Sequence, residues 1–251
     1  MEIGKDREIQ NMGETTSTVF AGEELKSITT KEGYGETPRF FAEQIRQRLE
    51  PGEYTIADVG SHKGELLGKL LDLLPGYKFK TLGIDSNEQP LKDNPADQKV
   101  LAEAGQLPIE TGGVDVSIVR YVLQWNNPEK QKKILGELAR TVGKFALIEH
   151  GGSPSERAEE YREIWEKIYD GSEVAKMKRT GHFFSSAREI EQWMTEQGIR
   201  FERIKERRID KMSSAYEERY NLNREELGKL REIVGDDDFY ILTDWIIYPK
   251  G

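Results

Sequence analysis

Two hydrophobic rhythms take turns along this chain. Residues 55–59 are a short apolar run of the kind a buried parallel strand needs, and from Leu66 onward leucines recur at helical spacing, at Leu66, Leu67, Leu70, Leu71 and Leu74. Between the two lies the turn Asp58-Val59-Gly60-Ser61-His62-Lys63-Gly64. The pattern predicts a strand, a turn at its carboxyl end and a helix. Residues 78–84 predict a second strand that ends in Asp85, Ser86 and Asn87. A short third strand is expected around Val100, a fourth over residues 114–119 running into Arg120 and Tyr121, and a fifth over residues 145–148. Thr37 as N-cap and Pro38 in the first turn open a helix that reaches Leu49, with Phe41, Ile45 and Leu49 on one face and Pro51-Gly52 ending it. Asn127 and Pro128 open another, whose Ile134, Leu135, Leu138 and Val142 face the sheet and which Gly143 closes. Strand and helix in alternation mark a parallel sheet.

Beyond the fifth strand the rhythm changes. Residues 155–170 predict a helix with a stripe of Tyr161, Ile164, Trp165, Ile168 and Tyr169, which reads as core in preference to a pocket wall. Ser186 and Glu189 form a capping box for a helix ending near Gly198, a strand follows through Ile209, then a helix over 223–234 and a last strand over 239–248. Residues 1–33 are polar and are expected to be a tail or a lid attached to one domain spanning 34–251.

The turn after the first strand has chemistry of its own. Gly60 and Gly64 leave the backbone open to close approach, and the helix that follows aims its N–H groups and positive dipole end at the same place, which suits an anionic group. At the tip of the second strand the Asp85 carboxylate is placed to accept two hydrogen bonds from a ribose diol. Together these segments predict a ligand containing adenosine.

Four motifs in order then resemble a known family. Residues 58–64 (DVGSHKG) resemble the first motif of the class I methyltransferases that use S-adenosylmethionine, and residues 82–85 (LGID) resemble their acidic second motif. Residues 102–125 (AEAGQLPIETGGVDVSIVRYVLQW) resemble the third and fourth, and residues 143–151 (GKFALIEHG) resemble the fifth strand. The likeness covers roughly residues 35–250 and is most similar to the branch that methylates small molecules such as quinone precursors. It implies an α/β fold, a Rossmann-like three-layer sandwich around a mostly parallel seven-stranded sheet with an antiparallel last strand, in which residues 151–185 roof the substrate pocket. It implies S-adenosylmethionine as cofactor, a small-molecule acceptor, and in-line displacement at the sulfonium methyl; the alternatives are a nucleic-acid or protein methyltransferase and a non-catalytic binding protein on the same scaffold. The cofactor residues it implies are Asp58, Gly60, Ser61, His62 and Gly64 in the first motif, then Asp85 with Ser86 at the ribose. Glu103 and Ala104 follow near the adenine, and Arg120 with Tyr121 at the tip of the fourth strand.

Two departures stand out. His62 occupies the position where the family usually has a third glycine, and it either lines the methionine end of the cofactor or is a surface loop residue. Glu103 stands where an aspartate is usual, keeping the acceptor on a side chain one methylene longer.

Composition narrows the picture further. With 251 residues the chain is long enough for one α/β core with appendages. The absence of cysteine excludes disulfides, thiolate metal sites and a catalytic thiol, hence cysteine-adduct methylation of pyrimidines and cysteine-dependent arsenic methylation. No apolar run approaches the roughly 20 residues of a membrane span, and the first ten residues lack the apolar centre of a signal peptide, so a cytoplasmic location is expected. A formal charge of −9 disfavours a nucleic-acid partner. Of the two basic clusters, Lys176, Lys178 and Arg179 form one. The other, Arg200 to Lys211, is interrupted by Glu202, Glu206 and Asp210 and reads as the solvated face of an edge strand. Among three histidines, His150 at the carboxyl end of the fifth strand and His182 beside Phe183 and Phe184 are the candidate general bases, each with a structural alternative. Tyr34, Tyr121 and Trp125 are candidate pocket walls. No metal site is expected.

Overall fold

In a computed structural model the chain is described over residues 36–163, 183–210 and 238–250, with Glu225 and Gly228 as isolated helical positions. Helix α1 (Glu36–Arg48) presents Phe41, Ala42 and Ile45 inward, and helix α2 (Glu65–Asp72) presents Leu66, Leu67 and Leu70. Strands β1 (Glu53–Val59), β2 (Lys78–Asp85), β3 (Gln98–Leu101) and β4 (Val114–Arg120) follow one another with short helix α3 (Glu88–Lys92) between β2 and β3. Helix α4 (Pro128–Thr141), strand β5 (Val142–Gly152), helix α5 (Ala187–Glu196), strand β6 (Phe201–Asp210) and strand β7 (Asp238–Ile247) complete the described elements.

The seven strands form one sheet in the order β3-β2-β1-β4-β5-β7-β6. β3, β2, β1, β4 and β5 pair in parallel, while β7 runs antiparallel to both β5 and β6. Side chains alternate across β5, so Ala146 and Ile148 join one core with α4, α5 and Trp245, and Phe145 and Leu147 join the other with α1 and α2. Helices on both faces therefore bury the sheet, which is why its central strands are apolar on both sides. The chain winds outward from β1 to β3, then returns to place β4 on the other side of β1. That reversal opens a crevice at the carboxyl ends of β1 and β4, where sheets of this kind take their ligands.

The capping box opening α5 is complete: Ser186 Oγ accepts from Glu189 N, and the Glu189 carboxylate accepts from Ser186 N at 2.7 Å. Asn127 caps α4 through an acceptor bond from Lys130 N at 2.9 Å. β6 lies at the sheet edge, and its Arg203 pairs with Glu191 and Glu206, consistent with a solvated strand face. Tyr161 is fully buried, so that member of the aromatic stripe belongs to the core.

Two local expectations are corrected. Thr37 is not an N-cap, because α1 already begins at Glu36 and the Thr37 hydroxyl donates across the molecule to Glu149. α4 is not closed by Gly143: Val142 turns directly into β5, and Gly143 packs against the Gly112 backbone as a strand residue. The expected tail over residues 1–33, Tyr34, His182, the first basic cluster, residues 164–170 of the helix expected over 155–170 and most of the helix expected over 223–234 lie outside the described residues.

Candidate functional site

The turn between β1 and α2 is built by the backbone. Gly60 N and Ser61 N both donate to Ile84 O, at 2.8 and 2.9 Å, which draws the turn against the end of β2. Gly60 and Gly64 both have positive φ, 77° and 75°. Their lack of a side chain has a packing reason too. A Cβ on Gly60 would run into Val122 Cγ2, and one on Gly64 would meet Asn94 Oδ1 and Pro95 Cδ at 2.8 Å. The space that sequence reasoning assigned to a ligand at Gly60 is therefore filled on its Cβ side by Val122.

His62 adopts the same left-handed region, with φ 47°, where a glycine would sit without strain. Its conformation is held from both ends: His62 N donates to Asp85 Oδ2 at 2.8 Å, and His62 O accepts from Asn94 Nδ2 at 3.1 Å. The imidazole is half-buried, and desolvation pushes its pKa below the ordinary value against the opposing pull of Asp85.

Asp85 is fixed in the same way. Asn87 N donates to its Oδ1 at 2.8 Å while His62 N holds Oδ2. Each carboxylate oxygen thus spends one lone pair on the backbone and keeps acceptor capacity unused among the described residues. Ser86 beside it is exposed. Asp58, at the end of β1, is buried and accepts the Leu67 N–H, serving the first turn of α2 in place of the side chain that Gly64 lacks. Its Oδ2 finds no partner among the described residues. Burial first, and the Asp85 charge second, push its pKa up to about 7.

Asn94 completes this corner and escaped the sequence reading. It is buried, donates from Nδ2 to Ser61 Oγ at 2.9 Å as well as to His62 O, and accepts from Ala96 N at 3.0 Å. The Asn94-Pro95 pair was a readable turn signal, but nothing local ties it to a loop 32 residues earlier. Leu101 was missed as well. It ends β3 directly beside Asp85 in the strand register and is 58 % exposed, an apolar surface next to the acidic one. Ala102 N donates to Asp85 O, Glu103 is exposed and Ala104 half-buried just beyond.

On the other side of the crevice, Arg120 ends β4 in a buried ion pair with Glu149, Nε to Oε1 at 2.7 Å. Thr37 bonds the same carboxylate, so the tips of β4 and β5 and the start of α1 are tied together. The guanidinium also lies 4.4 Å from the centre of the Tyr121 ring. Tyr121 has φ 55° and donates its N–H to Glu149 O at 3.0 Å. Trp125 is half-buried in the single helical turn at residues 123–125. His150 is 1 % exposed, with Nε2 2.9 Å from Ser185 O and its ring against Trp245, and burial pushes its pKa down to about 4. At neutral pH it is uncharged and a weak base. Among the described residues no group of three or more metal-ligating side chains occurs, and no helix is long and apolar enough to cross a membrane.

No family model and no curated protein matches the chain. Among solved structures it is similar to the YcgJ protein of Bacillus subtilis, at a TM-score of 0.65 and 12 % identity over 86 % of this chain and all of that one. It is similar also to the geranyl diphosphate C-methyltransferase of Streptomyces coelicolor, solved with S-adenosyl-L-homocysteine, at a TM-score of 0.57 and 12 % identity over 86 % of this chain and 82 % of that one. The magnesium protoporphyrin IX methyltransferase of Synechocystis, likewise solved with bound S-adenosylhomocysteine, aligns at a TM-score of 0.54 and 12 % identity over 87 % of this chain and 84 % of that one. The chain has the fold of the class I methyltransferases, a seven-stranded mixed sheet between helices.

Proposed function

We propose that the chain is a methyltransferase that uses S-adenosylmethionine to methylate a small-molecule acceptor. The observation that carries this reading is the Asp85 carboxylate, held at the tip of β2 by two backbone N–H groups with acceptor capacity to spare, directly beside the turn that follows β1. A ribose diol suits that capacity. The other residues fit the same cofactor. The Asp85 carboxylate, with the buried Asp58 carboxyl beside it, suits a ligand carrying an ammonium and a sulfonium. The exposed Leu101 beside Asp85 offers an apolar face for a purine. Similar folds solved with S-adenosylhomocysteine support the assignment.

When bound, S-adenosylmethionine supplies an electrophilic methyl on a positively charged sulfur. The chain's own part is to bind and align. Asp85 anchors the ribose, Ser61, His62 and Gly64 shape the turn, Ser86, Glu103 and Ala104 border the adenine, and Tyr121 and Trp125 wall the acceptor side. Holding two reactants in line and excluding water is worth up to roughly 7 to 11 kcal/mol of barrier, so no strong base is required.

The test is calorimetric titration of the full chain with S-adenosylmethionine and S-adenosylhomocysteine. A hydrogen bond to a charged group contributes about 1.5 to 3 kcal/mol, so Asp85→Ala is expected to weaken binding roughly 10- to 150-fold. Thermal melting of the variant checks that the turn still folds. A wild-type chain that binds neither ligand overturns the reading.

A further inference from the structure

We propose that Val122 is a positioning residue for the sulfur end of the cofactor, a rigid wedge that sets the gap between the turn after β1 and the tip of β4. The assignment rests on the methyltransferase reading. The Val122 isopropyl group lies against Gly60: the three atoms nearest to a Cβ built on that glycine all belong to Val122, with Cγ2 in collision and Cβ and Cγ1 at 3.6 and 3.8 Å. On this face the glycine is matched to a side chain of the chain itself.

The wedge is held from both ends. β4 runs parallel to β1, and just past its last residue Tyr121 turns the chain with φ 55° while donating its N–H to Glu149 O at 3.0 Å. The Val122 carbonyl then accepts from Asn126 Nδ2 at 2.8 Å and from Trp125 N at 3.3 Å. Backbone bonds thus fix the chain before and after Val122, and its β-branch leaves χ1 little freedom. His62 and Tyr121 are the non-glycine residues in the left-handed region among the described residues, one in each of the turns that Val122 and Gly60 bring into contact. Backbone strain of this kind persists where the surroundings over-determine it, and it gathers at functional sites.

The place of Val122 in the crevice gives the wedge its role. β1 lies between β2 and β4, and the turn after β1 is already bonded to the end of β2 through Ile84 O. Val122 holds that turn from the β4 side. With the ribose on Asp85 of β2 and the purine beside Leu101 of β3, the cofactor's sulfur lies across the turn toward β4, where Val122 stands half-buried. The side chain that sets the turn therefore also gives the transferable methyl an apolar neighbour with neither a nucleophile nor a proton to offer. Its influence falls on the part of the cofactor beyond the ribose.

Calorimetric titration of the full chain with S-adenosylhomocysteine and with adenosine, which lacks the sulfur and the amino-acid end, tests this in wild type, Val122→Ala, Gly60→Ala and the double variant. Loss of the half-buried methyl groups in Val122→Ala is expected to weaken S-adenosylhomocysteine about three- to tenfold, while adenosine changes by less than about twofold. General loosening of the fold would weaken both ligands alike. Gly60→Ala alone should weaken S-adenosylhomocysteine at least about tenfold, because the new Cβ drives the turn and Val122 apart. Adding Val122→Ala should recover at least about threefold of that loss, since the struck Cγ2 is gone and the remaining Cβ stands 3.6 Å away. The strain of alanine at positive φ is common to both variants and cancels in the comparison. If Gly60→Ala does not fold, the return of a folded, binding chain in the double variant, read by thermal melting and titration, is the same result. Parallel losses for the two ligands, S-adenosylhomocysteine affinity unchanged in Val122→Ala, or a double variant that binds no more tightly than Gly60→Ala each overturns the role of Val122. A wild-type chain that binds no S-adenosylhomocysteine overturns the methyltransferase reading, and this role with it.

Discussion

At the scale of single residues, Asp58 couples the site to pH. Its folded pKa of about 7 stands above the ordinary value of 3.8, so between those limits the folded chain holds a proton that the unfolded chain has released. Stability contributed by this group is therefore present at low pH and lost as pH rises through 7, with a slope of up to about 1.4 kcal/mol per pH unit. Asp58→Asn should remove that slope, and its stability relative to wild type should grow between pH 5 and 8 in urea titrations. A difference that stays constant across that range would show that Asp58 is ionised throughout. His62 poses a different question. Relief of its left-handed backbone and the greater unfolded-state freedom of glycine are each worth roughly 1 kcal/mol, so His62→Gly should be nearly neutral in stability. His62→Val should destabilise by more than about 1 kcal/mol, because a β-branched residue tolerates positive φ worst. Thermal melting of the two variants side by side separates a conformational effect from a general intolerance of change at this position.

At the scale of elements, the Arg120–Glu149 pair joins β4 to β5 and, through Thr37, both to α1. Both charged side chains are almost wholly removed from solvent. Glu149→Leu leaves the guanidinium buried without its carboxylate, which should cost about 3 to 5 kcal/mol. The double variant Arg120→Met with Glu149→Leu should recover much of that loss, because no uncompensated charge remains. Denaturant midpoints of the single and double variants decide this; additive losses would mean the pair is not energetically coupled. The Tyr121 N–H is bonded to the backbone O of Glu149, which Glu149→Leu retains, so that bond is expected to survive the substitution.

At the scale of the whole molecule, ligand and fold are linked. A ligand that binds only the folded chain at 100 times its dissociation constant adds about 2.7 kcal/mol. For a chain of 251 residues that corresponds to a rise of roughly 5 to 10 °C in melting temperature. S-adenosylhomocysteine should produce such a rise in the wild type and a much smaller one in Asp85→Ala at the same concentration. Adenosine alone, which keeps the ribose diol but lacks the amino-acid end, should fall between no ligand and S-adenosylhomocysteine. Equal shifts in wild type and variant would remove Asp85 from the site.

The described strands and the helices other than short α3 were legible in the sequence because each rests on local periodicity and capping: the leucines of α2, the Asn127 cap of α4 and the Ser186–Glu189 box of α5 signal themselves within a few residues. The turn after β1 and the acidic tip of β2 were readable for the same reason. Only the tertiary structure decided where side chains point across long separations. Thr37, a cap by its neighbours, spends its hydroxyl on Glu149, 112 residues away. Asn94 locks a turn that sequence treats as self-contained, and the opening expected beside Gly60 is filled by Val122. His150 reads as a base from its position at the end of β5, yet burial in that corner holds it neutral with one nitrogen committed to Ser185. Local chemistry selects which elements form; desolvation and pairing, which depend on what the fold brings alongside, select what their polar groups can do.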